Sequence, residues 1–177
     1  MGKNSVRQDV PLSAGSRRVL SILLWIAVSA GWLVSIFSVI EEMCLASACR
    51  DTAGFTIFGF NMGWFGITYF SLMLVLLWLR TRLHQLAWAL AAMVFAGIGA
   101  ELRLLWIQKY VIGGWCPLCV TICCALFITA LLLLIEKVRT TVPVHGREKS
   151  LLEWLAFVAA MIGMGLTLAV VGVKALT

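Results

Sequence analysis

Five apolar runs alternate with short polar stretches along the chain: Val19 to Ile40, Gly63 to Leu79, Leu86 to Ile107, Trp115 to Ile135 and Leu151 to Val173. A helix needs roughly 20 residues to cross the hydrocarbon core of a bilayer, and each run is near that length. The pattern predicts an all-α integral membrane fold, a four-helix transmembrane bundle plus a fifth transmembrane helix. Residues 1–18 then form a basic tail, and 19–136 the four-helix core with a cysteine-bearing loop at 41–62. Residues 137–150 form a second basic loop, and 151–177 the fifth helix with a short tail. A cleaved leader competes for the first run, because Ala46-Ser47-Ala48 resembles a small-residue cleavage site. The length of the run and the intervening Glu41 and Glu42 argue against it. A lipoprotein site at Cys49 fails too, since Leu45 lies one position too far back.

Two shorter patterns refine this layout. Phe55 to Phe60 is too short to span, and is expected to form a lid or half-helix, or simply an early start of the second span. Gly59, Gly63 and Gly66 place small residues at helical spacing, which permits close packing between helices.

Composition agrees with a membrane protein. The chain is 62% hydrophobic and 12% charged, with a mean hydropathy of +1.02. That leaves too little polar surface to cover a globule of this size. A net charge of +6 would suit an anionic partner, but the charges flank apolar runs and report topology rather than nucleic acid. The tail (Lys3, Arg7, Arg17, Arg18), the turn after the second span (Arg80, Arg82) and the loop before the fifth (Lys137, Arg139, Arg147, Lys149) share one side. Basic loops stay in the cytoplasm, so the N-terminus is expected inside and the C-terminus outside. His84 and His145 lie in short charged loops and are expected to be solvated. There is no Gly-rich phosphate loop, no His-based metal motif and no tandem repeat.

This orientation places Cys44, Cys49, Cys116 and Cys119 together at the outer face, in an oxidising compartment. Cys116 and Cys119 lie one helical turn apart at the mouth of the fourth run, with Pro117 suited to a first turn. The unpaired N–H groups and positive dipole end of a helix favour a thiolate there, so the dithiol has the ingredients of a redox pair. A structural zinc site would prefer tighter spacing and a reducing compartment. A structural disulfide would need only one pair of cysteines. A relay would use both pairs, passing electrons by thiol–disulfide exchange to a lipid-soluble quinone. Covalent haem is excluded, because Val120 follows the second cysteine where histidine would be needed. Cys123 shares the face of Cys116 and Cys119 one turn deeper, while Cys124 points about 100° away. Buried cysteine is most often a small hydrophobe, which makes Cys123 a pocket wall rather than a redox centre.

A quinone pocket should be apolar with a few hydrogen-bond donors. Trp115, Phe55, Phe58, Phe60, Trp64 and Phe65 are candidate walls, with Asn61 or Thr56 as donors. Aromatic residues at this depth also form the ordinary interfacial belt. Glu101 and Arg103 cannot both face lipid cheaply. They are expected to pair with each other, with Lys109 or with Asp51, while a proton-handling role is the alternative for Glu101.

The first-loop cysteine pair, the segment from Ile57 to Gly66 (Ile-Phe-Gly-Phe-Asn-Met-Gly-Trp-Phe-Gly), and Trp115-Cys116-Pro117-Leu118-Cys119-Val120 resemble, in this order, the vitamin K epoxide reductase family. The resemblance covers roughly residues 20 to 136. Bacterial disulfide-forming quinone reductases of the other kind carry the Cys-x-x-Cys in the first outer loop, the reverse of the order here. The resemblance implies a four-helix bundle around a quinone of ubiquinone or menaquinone type. Cys44 would meet the external partner, Cys49 would exchange with Cys116, and Cys119 would reduce the quinone. It also implies a bacterial cytoplasmic membrane with the site facing the periplasm. Two departures stand out. Thr52 and Thr56 are equally good matches for a Ser or Thr that follows the loop pair, and Cys123 stands where animal enzymes carry a tyrosine. Some bacterial members continue into a thioredoxin-like domain. Here the chain ends at Thr177, so a separate thioredoxin-fold dithiol protein is the expected partner, with membrane lipid around the bundle and no nucleic acid. A non-enzymatic membrane assembly subunit with a stapled outer loop is the reading from another class.

Overall fold

The computed structural model describes residues 14–44, 55–57, 60–83, 85–140 and 147–175. These form five helices: α1 (Ala14–Cys44), α2 (Met62–Leu79), α3 (Leu86–Ile107), α4 (Pro117–Thr140) and α5 (Arg147–Gly172). Four of them hold segments long and apolar enough to cross a membrane, residues 18–40, 86–112, 117–138 and 152–172, and Gly63–Leu79 is a shorter apolar helix. Large apolar side chains such as Ile26, Phe37, Leu72, Leu131 and Val171 lie exposed on the outside of the helices. A water-soluble surface rarely carries so continuous an apolar coat, whereas lipid makes it inexpensive.

The helices alternate in direction, so the ends of α1, α3 and α5 meet the starts of α2 and α4. The core fills the space between them with Leu24, Val28, Phe70, Met73, Leu90, Val94 and Leu126. Small residues set the closest contacts, as lipid offers no hydrophobic drive for helices to associate. Gly63 lies against Val39 and Gly66 against Ser35, joining α1 to α2 as the glycine spacing implies. Gly99 packs on the Ile162 carbonyl and Gly165 on the Ala96 carbonyl, so the backbones of α3 and α5 touch. The fifth helix is therefore packed into the bundle, and its contact with α3 is the most extensive between any two described helices. Among the described residues few polar bonds cross between helices: Trp32 Nε1 donates to Ser71 Oγ at 2.9 Å, and Tyr69 Oη to the Met93 carbonyl at 2.7 Å. At the basic end of the bundle Arg80 pairs with Glu136 at 3.1 Å.

Three expectations need correction. Phe55 to Phe60 does not begin a helix: Phe55–Ile57 is a strand, β1, and Phe60–Asn61 a second, β2. A third strand, β3 (Val173–Ala175), completes an antiparallel sheet in the order β2-β1-β3, pairing Thr56 with Asn61 and with Lys174. The partner that turns this apolar run into a strand comes from the far end of the sequence. Secondly, α1 continues past Ile40 to Cys44, over the first residues assigned to the cysteine-bearing loop, since nothing from Glu41 to Cys44 breaks a helix. Thirdly, α1 already starts at Ala14, inside the segment assigned to the tail. The histidines His84 and His145 and most of the stretch expected to be the outer loop, with Cys49, Asp51, Thr52, Phe58 and Gly59, lie outside the described residues.

Candidate functional site

The fourth run opens as its sequence suggests. Val120 N–H donates to the Cys116 carbonyl at 3.1 Å, which makes Cys116 the residue capping α4 and Pro117 the first within it. Cys119 thus lies in the first turn, where backbone N–H groups have no helical partner. From there the stripe Cys119, Cys123, Leu126, Ala130 and Leu133 runs down α4 at helical spacing, and all but the half-buried Cys119 are buried.

Cys116 is 3% exposed and is held in a disulfide, while Cys119, Cys123 and Cys124 are free. The bond at Cys116 is therefore not made within the Cys-x-x-Cys pair. The two other cysteines of the chain are Cys44, the last residue of α1, and Cys49; their side chains lie outside the described residues. Cys123 is buried and Cys124 exposed, as helix geometry requires of neighbours about 100° apart.

Opposite this mouth, α3 does not stop at Ile107 but widens into a π-turn, Gln108–Ile112. Gly113 closes it with φ of 76°, a left-handed conformation that glycine adopts without strain. The Gln108 carbonyl accepts from both Gly113 and Gly114 N–H, at 2.9 and 3.2 Å. Its side chain, 2% exposed, turns inward, and Oε1 accepts the Cys116 N–H at 3.3 Å. Gln108 thus holds the first cysteine of the pair by its backbone. Sequence reasoning placed it in a plain connection; the available signal was its spacing, seven residues after Glu101 on the buried face that includes Leu104.

Glu101 stands on that face, one turn from Gly97, which packs against Tyr69 and Leu126. The antiparallel fit of α3 on α4 sets Gly97 opposite Leu126 and Gln108 opposite Cys116, which puts Glu101 at the level of Cys119 and Cys123. Tyr69, Cys119 and Cys123 are its titratable neighbours. Oε2 is buried with no hydrogen-bond partner among the described residues, and neither has Arg103 Nε. The expected pairing of the two is not made. Arg103 lies over the Trp106 ring at 4.5 Å, and Lys109 over Tyr110 at 5.2 Å.

The aromatic candidates divide. Trp115 is 59% exposed, and Trp64 and Phe65 are exposed on the first turn of α2, where Phe65 stacks on Tyr69 at 6.5 Å. Phe55, Thr56, Phe60 and Asn61 lie in β1 and β2, with their side chains outside the described residues. The site at this end of the bundle thus joins one oxidised and two free cysteines, a glutamine bonded to the Cys116 backbone and a carboxyl whose Oε2 has no partner among the described residues. No group of three or more residues suited to a metal ion occurs among the described residues. Comparison of the chain with protein-family models, with curated proteins and with solved structures gives no match.

Proposed function

We propose that this chain is an integral membrane thiol oxidoreductase of the vitamin K epoxide reductase kind, which passes electrons from an extracytoplasmic dithiol protein to a membrane quinone. The observation that supports it most is the bonded Cys116 beside the free Cys119 at a helix mouth. A relay in which a loop cysteine is joined to Cys116 leaves Cys119 free in this way. In this reading the client dithiol is oxidised by the Cys44–Cys49 disulfide, the reduced loop pair exchanges through Cys49 with Cys116, and Cys116 and Cys119 become a dithiol. A quinone supplies the sink for two electrons and two protons. Gln108 holds Cys116 through its N–H, and the apolar surroundings of Phe65, Tyr69 and Cys123 suit an isoprenoid-bearing ring. The unpartnered Glu101 Oε2 beside the sulfurs gives such a site a polar group to aim at the ring oxygens. The basic residues at the opposite end of the bundle favour a cytoplasmic N-terminus, with the site outside, at the periplasmic face of a bacterial membrane.

The experiment is quinone reduction by purified protein, followed by absorbance, with a reduced thioredoxin-fold protein or DTT as donor. Wild type is expected to turn over with a short-chain ubiquinone or menaquinone, and Cys119→Ala is expected to be inactive while still trapping Cys116 in a mixed disulfide. A wild type that reduces neither quinone would leave the non-enzymatic assembly subunit as the better account.

A further inference from the structure

We propose that Glu101 carries the proton of the Cys119 step, taking it from the thiol and handing it to the quinone oxygen nearest the pair. This rests on the quinone-reductase reading. An ionisable residue inside a span is costly and turns towards the bundle interior, where it marks a functional path. Glu101 does so on the face that meets α4, level with Cys119 and Cys123. A structural explanation would be an ion pair, and none is made among the described residues: Arg103 and Lys109, on the same helix, lie over aromatic rings. The titratable groups facing Glu101 are Tyr69 from α2 and the two cysteines from α4. From α5 the packed stretch Ile162 to Leu166 offers none. The Tyr69 hydroxyl donates to the Met93 carbonyl, which leaves Glu101 as the group without a prior hydrogen-bond commitment at Oε2.

The step balances without a further reactant. The reduced Cys116 and Cys119 hold two electrons and two protons. Both S–H bonds break as the S–S bond forms, and two O–H bonds form on the quinone. Glu101 accepts the Cys119 proton, releases it to oxygen and returns to its starting state.

The test is Glu101→Gln in the full chain, with two readouts. The first needs no quinone: alkylation of Cys119 in reduced protein is followed against pH by peptide mass spectrometry. A thiol and a carboxyl that share a proton titrate as a coupled pair, so wild type is expected to show a two-step profile and the variant a single step. The second is single-turnover quinone reduction, expected to slow about 100-fold or more, as loss of a general acid–base group does. Glu101→Asp is expected to restore part of the rate and the two-step profile with displaced midpoints. Identical alkylation profiles in wild type and Glu101→Gln, or equal single-turnover rates, would overturn the proposal. If Glu101→Gln does not fold, an alkylation profile unchanged in Glu101→Asp overturns it instead. A wild type that reduces no quinone would sink the function itself, while the alkylation comparison would still decide whether Glu101 shares the thiol proton.

Discussion

Gln108 shows how a single side-chain amide can anchor the backbone at the start of a helix. Replacing it with Leu leaves the buried Cys116 N–H without its acceptor, a loss of about 1–3 kcal/mol for an unsatisfied buried donor. Gln108→Leu is therefore expected to lower the thermal midpoint in detergent, whereas Gln108→Glu, which keeps an acceptor, should retain most of it. A midpoint unmoved by Leu would mean that the bond holds nothing. The deeper thiols make the opposite case. Cys123→Ala removes one buried atom, so quinone affinity should weaken by at most about 1–2 kcal/mol. The double variant with Cys124→Ala should keep turnover within a few-fold. Complete loss of activity in folded protein would add a third thiol to the relay. At this scale the cysteines were legible because their spacing is itself a geometry, i and i+3 at a helix mouth. Gln108 was not, since a glutamine at the end of an apolar run reads as the start of a loop, and no local pattern announces a π-turn.

Among elements, the spans were legible because hydropathy is the membrane's own selection rule. Observed helices match them within a few residues, apart from the longer ends of α1 and α4. The segment Phe55 to Phe60 was misread for a physical reason: a short apolar run is compatible with helix or strand until a partner decides, and here one partner is Val173–Ala175. The packing of α5 was equally invisible, since glycines in a span are common and only their neighbours tell which ones matter. Gly165 and Gly163 test this by the same substitution two residues apart. A Cβ at Gly165 would run into the Ala96 carbonyl, while at Gly163 nothing lies within 4 Å. Gly165→Ala is expected to destabilise by about 1–3 kcal/mol or more through overpacking, and Gly163→Ala to be neutral or slightly stabilising. Thermal unfolding of the two variants checks the difference; equal midpoints would mean that α3 and α5 are not in backbone contact.

For the whole molecule, sidedness is the property on which the proposed chemistry depends. Thiol reagents that cannot cross membranes are expected to label reduced Cys44 or Cys49 from outside intact cells, since the basic residues gather at the opposite end. Labelling only after the inner face is opened would overturn the orientation and the relay together. One consequence of the small sheet concerns synthesis. β1 follows the first helix, but β3 follows the fifth, so the strand order β2-β1-β3 joins segments more than 100 residues apart. A chain made from its N-terminus can pair β1 with β2 early, while the third strand emerges only after the fifth helix has been translated. A nascent chain arrested before its fifth helix would therefore hold β1 and β2 with the third place in the sheet still open.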